Sequence, residues 1–211
     1  MNEKAAKALL EIEAVFLRPK QPFTWASGIK SPIYCDNRLV LSHPAARTLV
    51  AEGIAGMIRA HYADCEVVVG TATAGIAHAV LAADLLGLPM AYARASAKDH
   101  GRGNQIEGKV LPGQKAVVVE DTISTGGSVV EAVHVLREAG ARVLGIASIF
   151  TYGMEKGLQR FREADVVNVS LTDFDALVGV AAREGFIAEA DVERLMAFRG
   201  NPSDESWMGA G

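Results

Sequence analysis

Apolar runs and amphipathic segments alternate through the middle of the chain. Five short runs, rich in β-branched residues and mostly apolar on both faces, predict buried strands. These runs occupy residues 66–69, 89–92, 115–119, 142–150 and 165–170. Because strands that alternate with helices are typical of βαβ units, the pattern predicts an α/β fold with a central, mostly parallel sheet flanked by helices.

The helical segments are indicated by apolar positions that repeat at the helical period. In residues 127–139, Val129, Val133 and Leu136 fall on one face, and Gly140 supplies a C-terminal stop. Other helices are predicted at residues 2–16, 44–62, 74–86 and 188–199. The polar tail, residues 201–211, is expected to fray.

Composition and charge narrow the function classes. The chain has 211 residues, of which 50% are hydrophobic, enough for one domain with a buried core. A formal net charge of -4 argues against a broad nucleic-acid surface, so an anionic ligand must meet a local cluster of basic groups or backbone amides. Cys35 and Cys65 are too few for a disulfide scaffold and fit a reducing compartment. The sequence shows no export signal, and its apolar stretches are much shorter than the roughly 20 residues that a bilayer span needs. Together with the cysteine content, these features predict a cytoplasmic protein.

One segment, residues 94–113, breaks the alternation of strands and helices. It is polar and glycine-containing, with only Ile106, Val110 and Leu111 as apolar anchors. Loops of this length inside a compact domain are usually lids or binding loops, so this segment is a candidate functional loop.

The strand at 115–119 leads into the motif EDTISTGGS, residues 120–128, which opens the helix at 127–139. At the carboxyl end of a parallel strand, small residues let backbone amides converge on an anion, and the helix N-terminus favours negative charge. Glu120 and Asp121 would repel a phosphate, so they are expected to bind vicinal hydroxyls or face a metal ion. A phosphorylated sugar satisfies both halves of the motif. The alternative is that Asp121 or Ser124 only caps the helix and that the glycines form a tight turn.

Two common nucleotide-binding motifs do not match. Residues 70–75 have the glycine spacing of a P-loop, but Ile76 and Ala77 stand where lysine and Ser/Thr are required. Gly101 and Gly103 begin a dinucleotide fingerprint, but Ile106 stands where its last glycine is required.

The motif of residues 117–128 resembles the site for 5-phosphoribosyl 1-pyrophosphate (PRPP) in type I phosphoribosyltransferases. Residues 23–34 and 98–108 resemble the N-terminal segment and the flexible loop of the orotate-using branch of this family. The string YCDNR at residues 34–38 resembles the version of that branch found in Gram-positive bacteria. The resemblance extends from about residue 6 to 200, with its motifs in the expected order. It implies the type I phosphoribosyltransferase fold in one domain, with a small hood at about 1–40 and a core at about 41–200.

The resemblance implies a Mg²⁺-dependent transfer of ribose 5-phosphate from PRPP to N1 of orotate, giving orotidine 5′-monophosphate and pyrophosphate in pyrimidine synthesis. The implied PRPP-binding residues are Arg94, Lys98, His100, Glu120, Asp121, Thr122, Ile123, Ser124, Thr125, Gly126, Gly127 and Ser128. Lys98, His100 and Asp121 are the implied catalytic residues, and Ser124 the implied orotate contact. The metal is expected to be held mainly by PRPP, with Glu120 and Asp121 as candidate ligands.

The reaction explains the need for cations in the candidate loop. Breaking the anomeric C–O bond develops negative charge on pyrophosphate and positive charge on ribose, so cations are needed at the leaving group and water must be excluded. The resemblance implies that Arg94, Lys98 and His100 contact the diphosphate. Lys98 and His100 would lie on a lid that serves the neighbouring site of a homodimer. Gly101 and Gly103 would permit the movement of this lid. Taken alone, Lys98 and His100 are also compatible with a solvated polar loop.

The resemblance further implies that backbone amides of residues 70–75 hold the pyrophosphate, with a cis peptide near Ala72–Thr73. Some positions depart from the enterobacterial pattern. Ala26 and Ala95 replace lysines, and Tyr152 stands about where an orotate-contacting arginine is found. The partner of the orotate carboxylate is therefore not assigned.

The remaining candidate groups are interpreted as structural. Cys35 is expected to be a buried structural thiol. His43, His61, His78 and His134 lack metal-ligand spacing with a Cys or acid partner, and we interpret them as surface or packing residues.

Two alternatives share the 120–128 motif. A purine or uracil phosphoribosyltransferase would leave residues 27–38 and 98–108 unexplained. A PRPP-sensing regulator would not need the Lys98/His100 loop, and the acidic net charge argues against nucleic-acid binding.

Overall fold

The computed structural model describes residues 1–25, 28–94 and 105–209. The α-helices of these ranges are α1 (Asn2–Glu11), α2 (Pro44–His61), α3 (Ala74–Leu86), α4 (Gly127–Glu138), α5 (Glu155–Glu163), α6 (Phe174–Arg183) and α7 (Val192–Gly200). The strands are β1 (Val15–Leu17), β2 (Phe23–Thr24), β3 (Lys30–Ser31), β4 (Ile33–Cys35), β5 (Val67–Thr71), β6 (Met90–Ala93), β7 (Ile106–Glu107), β8 (Lys115–Ile123), β9 (Arg142–Thr151) and β10 (Asn168–Asp173). None of the helices in the described ranges is long and apolar enough to cross a membrane.

The central sheet has six strands in the order β10-β9-β8-β5-β6-β7. The first five are parallel to their neighbours, and β7 is antiparallel to β6. The predicted α/β fold is therefore confirmed, and the crossover helix at 74–86 is found within the predicted bounds. Two small antiparallel pairs, β1 with β4 and β2 with β3, lie outside this sheet.

Strand β8 divides the hydrophobic core into two layers. Val117 and Val119 face a cluster that includes residues of α1, α2, α3 and α6. Val118 faces the opposite cluster, which includes residues of α4. Because successive side chains of a strand point to opposite faces, a strand buried on both sides has the unbroken apolar pattern seen in the sequence.

The predicted end of the third sheet strand at residue 119 is wrong. Strand β8 continues to Ile123, because its residues stay paired with β9 as far as Ile123 with Thr151. The two acids of the motif therefore lie in a strand and not in the loop after it. Their backbone directions are fixed by the sheet.

Other differences occur at the ends of elements. The first helix stops at Glu11 instead of residue 16, because Glu13 has a positive φ of 56° and the next residues enter strand β1. Strand β10 begins at Asn168 instead of residue 165, after a turn with φ of 45° at Asp165. The last helix begins at Val192, after a short 3-10 turn. Helices α5 and α6 were not predicted.

The tail has one anchor among its described residues, although most of its other side chains are exposed. Trp207 is only 3% exposed and its ring lies 5.8 Å from that of Phe198 in α7. Burial of a large aromatic ring compensates for ordering a polar segment.

Candidate functional site

Three parallel strands end at the same edge of the sheet. Gly70 pairs with Val119 and Thr71 pairs with Ala93, so β5, β6 and β8 place their carboxyl ends side by side. The 72–75 loop, Arg94 and Glu120 therefore meet at one edge, where ligands of open α/β sheets bind.

Glu120 lies beneath this edge and is 6% exposed. Its Oε1 accepts hydrogen bonds from Thr71 Oγ1 at 2.7 Å and from the Asp121 amide at 3.1 Å, and Ser128 Oγ lies 3.5 Å from its Oε2. Burial, followed by the neighbouring Asp121 carboxylate, raises the pKa of Glu120 to about 8. One carboxyl group thus connects the end of β5, strand β8 and the start of α4.

This pKa predicts a pH dependence of stability. The unfolded chain releases the proton near the ordinary pKa of 4.5, whereas the folded protein holds it until about pH 8, so the free energy of unfolding falls as pH rises between these values. Glu120→Gln removes the titration, and we expect its melting temperature to change less than that of the wild type between about pH 5 and pH 8. The exposed Glu131→Gln in α4 is the control and should keep the wild-type slope. A wild-type slope in Glu120→Gln would contradict the assignment.

The second acid of the motif is held by the N-terminal segment. The Asn37 side chain is fully buried, and its Nδ2 donates to the Asp121 carbonyl at 2.9 Å and to Thr122 Oγ1 at 2.8 Å. Thr122 Oγ1 in turn donates to Asp121 Oδ2 at 3.2 Å. The Sγ of Cys35 lies 3.8 Å from the same hydroxyl oxygen, and burial raises its pKa to about 12, so this thiol is not a nucleophile near neutral pH.

The loop between β8 and α4 contains Ser124, Thr125 and Gly126. Gly126 has a φ of +70° and precedes the first residue of α4, and no side chain caps this helix. The alternative that Asp121 or Ser124 only caps α4 is therefore wrong. The first N–H groups of the helix have no intrahelical acceptor, so they are available to an anion at the loop.

The loop between β5 and α3 packs closely against the motif. Ala72–Thr73 is a cis peptide bond, as the resemblance implied. Gly75, in the first turn of α3, has no room for a side chain, because a Cβ there would lie 2.5 Å from the Val119 carbonyl oxygen and would collide with Thr71 Oγ1. The close approach places the backbone of this loop beside Glu120.

Arg94 follows β6 at the same edge. Its amide donates to the Gln105 carbonyl at 2.8 Å, and its guanidinium lies 3.8 Å from Glu107 Oε1 and stacks over the Tyr92 ring. Lys98 and His100 lie outside the described residues, as do Ala26, Ala95, Gly101 and Gly103. Their roles stay predictions.

Residues 23–34, which resemble the N-terminal segment of the orotate-using branch, are followed by Cys35 and Asn37, and these two side chains contact the end of β8 at Thr122. Ser124, the implied orotate contact, is half-buried just beyond. Tyr152 is 4% exposed and packs edge-on against Trp25 and Phe150. Burial raises its pKa well above the ordinary range, and its ring contacts are those of a packing residue.

The acids present suit a metal that is held mainly by its substrate. The described residues contain no group of three or more His, Cys, Asp or Glu side chains that could form a metal cage. Mg²⁺ bound with phosphates typically takes only one or two protein carboxylates, which Glu120 and Asp121 can supply. Of the four histidines interpreted as structural, His78 is buried, with its pKa lowered by burial, and the others are exposed.

Three side chains at this edge were not predicted from the sequence. Thr71 connects two loops, Asn37 supports the acids, and Arg160 of α5 donates from Nη1 to the Thr125 carbonyl at 2.8 Å. Thr71 lies within the 70–75 segment, whose glycines were the only signal noted. Asn37 lies within the YCDNR string, and nothing in the sequence indicated Arg160.

Comparisons with known proteins identify the family of this chain. The sequence model described as "Phosphoribosyl transferase domain" matches residues 40–184. A protein of Bacillus mycoides named orotate phosphoribosyltransferase is 55% identical over 210 residues, covering 100% of both chains. The chain therefore belongs to the phosphoribosyltransferase family, in its orotate phosphoribosyltransferase branch.

Two solved structures share the fold. UMP synthase of Leishmania donovani matches with a TM-score of 0.78 and 27% identity over 93% of this chain, which spans 42% of that longer chain. Orotate phosphoribosyltransferase of Mycobacterium tuberculosis H37Rv, solved in complex with PRPP, matches with a TM-score of 0.63 and 25% identity, covering 83% of this chain and 98% of that one.

Proposed function

We propose that this protein is a Mg²⁺-dependent enzyme that transfers the 5-phosphoribosyl group of PRPP to N1 of orotate, releasing pyrophosphate and forming orotidine 5′-monophosphate. The observation that carries the proposal is the sheet edge at which Glu120 and Asp121 lie in the last part of parallel strand β8, close to a helix N-terminus that no described side chain caps. Its acids suit sugar hydroxyls and its amides suit phosphate. The 55% identity to a named orotate phosphoribosyltransferase supports the acceptor base.

The donor is proposed to lie along the carboxyl edge of the sheet. Residues 125–128 hold the 5′-phosphate through backbone amides and hydroxyls. Thr122, Ile123 and Ser124, at the end of β8 and the start of the loop, are the remaining PRPP-binding residues of the motif. Glu120 and Asp121 bind the ribose hydroxyls, and the backbone amides of residues 70–75 hold the pyrophosphate together with Arg94. The hydrogen bond between Thr71 and Glu120 supports this arrangement, because it joins the segment proposed to bind pyrophosphate to an acid proposed to bind ribose.

Breaking the bond to pyrophosphate separates positive and negative charge, and the proposed residues lower the free energy of this charge-separated transition state. As the anomeric carbon loses its bond to pyrophosphate, N1 of orotate forms the new bond, and the proton of N1 is accepted by the departing pyrophosphate. Arg94, Lys98 and His100 stabilise the growing negative charge of the leaving group, with Lys98 and His100 brought by a partner subunit in a homodimer. Glu120 and Asp121 are the side chains that would help PRPP to hold Mg²⁺, which when bound would neutralise part of the pyrophosphate charge.

The acceptor is proposed to bind between Ser124 and the backbone of residues 30–34. Asn37, three residues after this segment, donates to Asp121 and Thr122 of β8, so the proposed orotate and ribose sites would be connected through one side chain. Holding both reactants in a fixed geometry removes much of the entropic barrier of a two-substrate reaction.

The test is the loss of orotate ultraviolet absorbance when the purified protein is mixed with PRPP and Mg²⁺. Hypoxanthine, adenine and uracil are run as rival acceptors. We expect orotate consumption that requires both PRPP and Mg²⁺. Turnover of another base would overturn the specificity, and PRPP binding without turnover of any base would favour a sensor.

A further inference from the structure

Helix α5 packs directly against the proposed phosphate loop. Gly157, Arg160 and Phe161 lie three and four positions apart, so they share one face of the helix. The Phe161 ring lies 3.1 Å from the position of a Cβ on Gly126, and a Cβ on Gly157 would lie 3.1 Å from the Ser124 carbonyl oxygen. This face of α5 therefore forms a close support behind the loop.

Arg160 brings a positive charge to this contact. Its Nη1 donates to the Thr125 carbonyl at 2.8 Å and lies 3.0 Å from the position of a Cβ on Gly127. Within the described ranges, Arg160 makes no ion pair with a carboxylate. By contrast, the exposed Arg162 on the same helix pairs with Glu155.

The hydrogen bond fixes the direction of one peptide group. In a trans peptide the C=O and the following N–H point in opposite directions. When Arg160 holds the Thr125 carbonyl on the α5 side, the Gly126 N–H points to the other side of the loop, where the phosphate is expected. A guanidinium in a half-buried position also favours an anion across the loop, because screening there is weaker than in water.

We propose that Arg160 is a positioning residue for the 5′-phosphate of PRPP, acting through the Thr125–Gly126 peptide and through its own charge. The inference rests on the proposed function, which places the 5′-phosphate at residues 125–128. It assigns Arg160 to one end of the substrate only, because its contacts are with the 124–127 loop and not with the 72–75 loop. Loss of Arg160 should therefore weaken binding at the phosphate end and leave the pyrophosphate end unchanged.

The experiment compares two product-like probes on the full-length protein. Dissociation constants of ribose 5-phosphate and of pyrophosphate, with Mg²⁺, are measured for wild type, Arg160→Met, Arg160→Lys and the control Arg162→Met. We expect Arg160→Met to weaken ribose 5-phosphate binding about tenfold, because the Thr125–Gly126 peptide is no longer held in place and a nearby positive charge is lost, with pyrophosphate binding within about twofold of wild type. Arg160→Lys keeps the charge and should recover part of the loss, and Arg162→Met should match wild type.

Steady-state kinetics and melting temperature separate positioning from folding. The KM for PRPP should rise in Arg160→Met while kcat changes little, since the phosphate does not react. The inference would be overturned if Arg160→Met lost affinity equally for ribose 5-phosphate and pyrophosphate. It would also be overturned if the variant melted like wild type and bound ribose 5-phosphate as tightly as wild type. If Arg160→Met does not fold, Arg160→Lys is used instead. It should bind ribose 5-phosphate more weakly than wild type and bind pyrophosphate as wild type does, and a variant without this difference would overturn the inference. A wild-type protein that binds neither ribose 5-phosphate nor PRPP would overturn the proposed function itself.

Discussion

Replacing Lys98 by alanine is expected to lower kcat at least a few hundredfold while PRPP binding remains detectable. The reason is that the lysine is proposed to act on the negative charge that develops on pyrophosphate, so its largest contribution is made in the transition state. A loss of roughly 3 to 4 kcal/mol is typical of removing one such contact. Turnover is measured from orotate absorbance, and PRPP binding by calorimetry.

The matched control for this change is Lys109→Ala, which removes the same charge from an exposed position just after residues 98–108, the part that resembles the flexible loop of the family. It should keep the wild-type kcat. Near-normal turnover in Lys98→Ala would remove Lys98 from the catalytic role, whereas equal losses in the two variants would point to a general charge effect.

Gly75→Ala is expected to damage both stability and activity. The added methyl group would lie 2.5 Å from the Val119 carbonyl oxygen and would collide with Thr71 Oγ1, so the loop or the strand must shift. Overpacking of this kind typically costs about 1 to 3 kcal/mol of unfolding free energy. Because Thr71 holds Glu120, the shift also misplaces the acid, and we expect kcat/KM for PRPP to fall about a hundredfold.

Urea unfolding and initial rates measure these two effects. Gly56→Ala in α2 is the control, since a Cβ there meets nothing within 4 Å and alanine is the better helix former. It should be as stable as wild type or slightly more so, with unchanged activity. Gly75→Ala with wild-type stability and kinetics would show that the loop has room that the structure does not indicate.

Much of the fold was accessible from the sequence because the sheet is buried on both faces. Strands such as 115–119 then have an unbroken apolar pattern, and Ala74–Leu86 stands out as an apolar helix between two of them. The end of β8 was missed because Glu120 and Asp121 resemble loop residues, and only pairing with β9 keeps them in the sheet. Helix α5 was missed because it buries little beyond Gly157 and Phe161.

The candidate site was predictable where its chemistry is local. The acids, hydroxyls and glycines of residues 120–128 are contiguous, so their order alone indicated a sugar phosphate. Contacts between distant segments have no such signal. Asn37 reaches Asp121 across 84 residues of chain, and Arg160 reaches Thr125 across 35. Side chains of these types are common on surfaces, so only the folded structure distinguishes the two that support the site.

The buried Asn37 side chain limits how base specificity could be redesigned. The segment proposed to recognise the base and the strand proposed to hold the ribose share its two hydrogen bonds, so they are not separable modules. Grafting residues 30–38 from an enzyme that uses another base would leave the Thr122 hydroxyl and the Asp121 carbonyl without their amide donor unless the incoming segment carries an equivalent. A new acceptor specificity would therefore have to be introduced by individual substitutions around Asn37, and segment exchange would be expected to disturb the donor site as well.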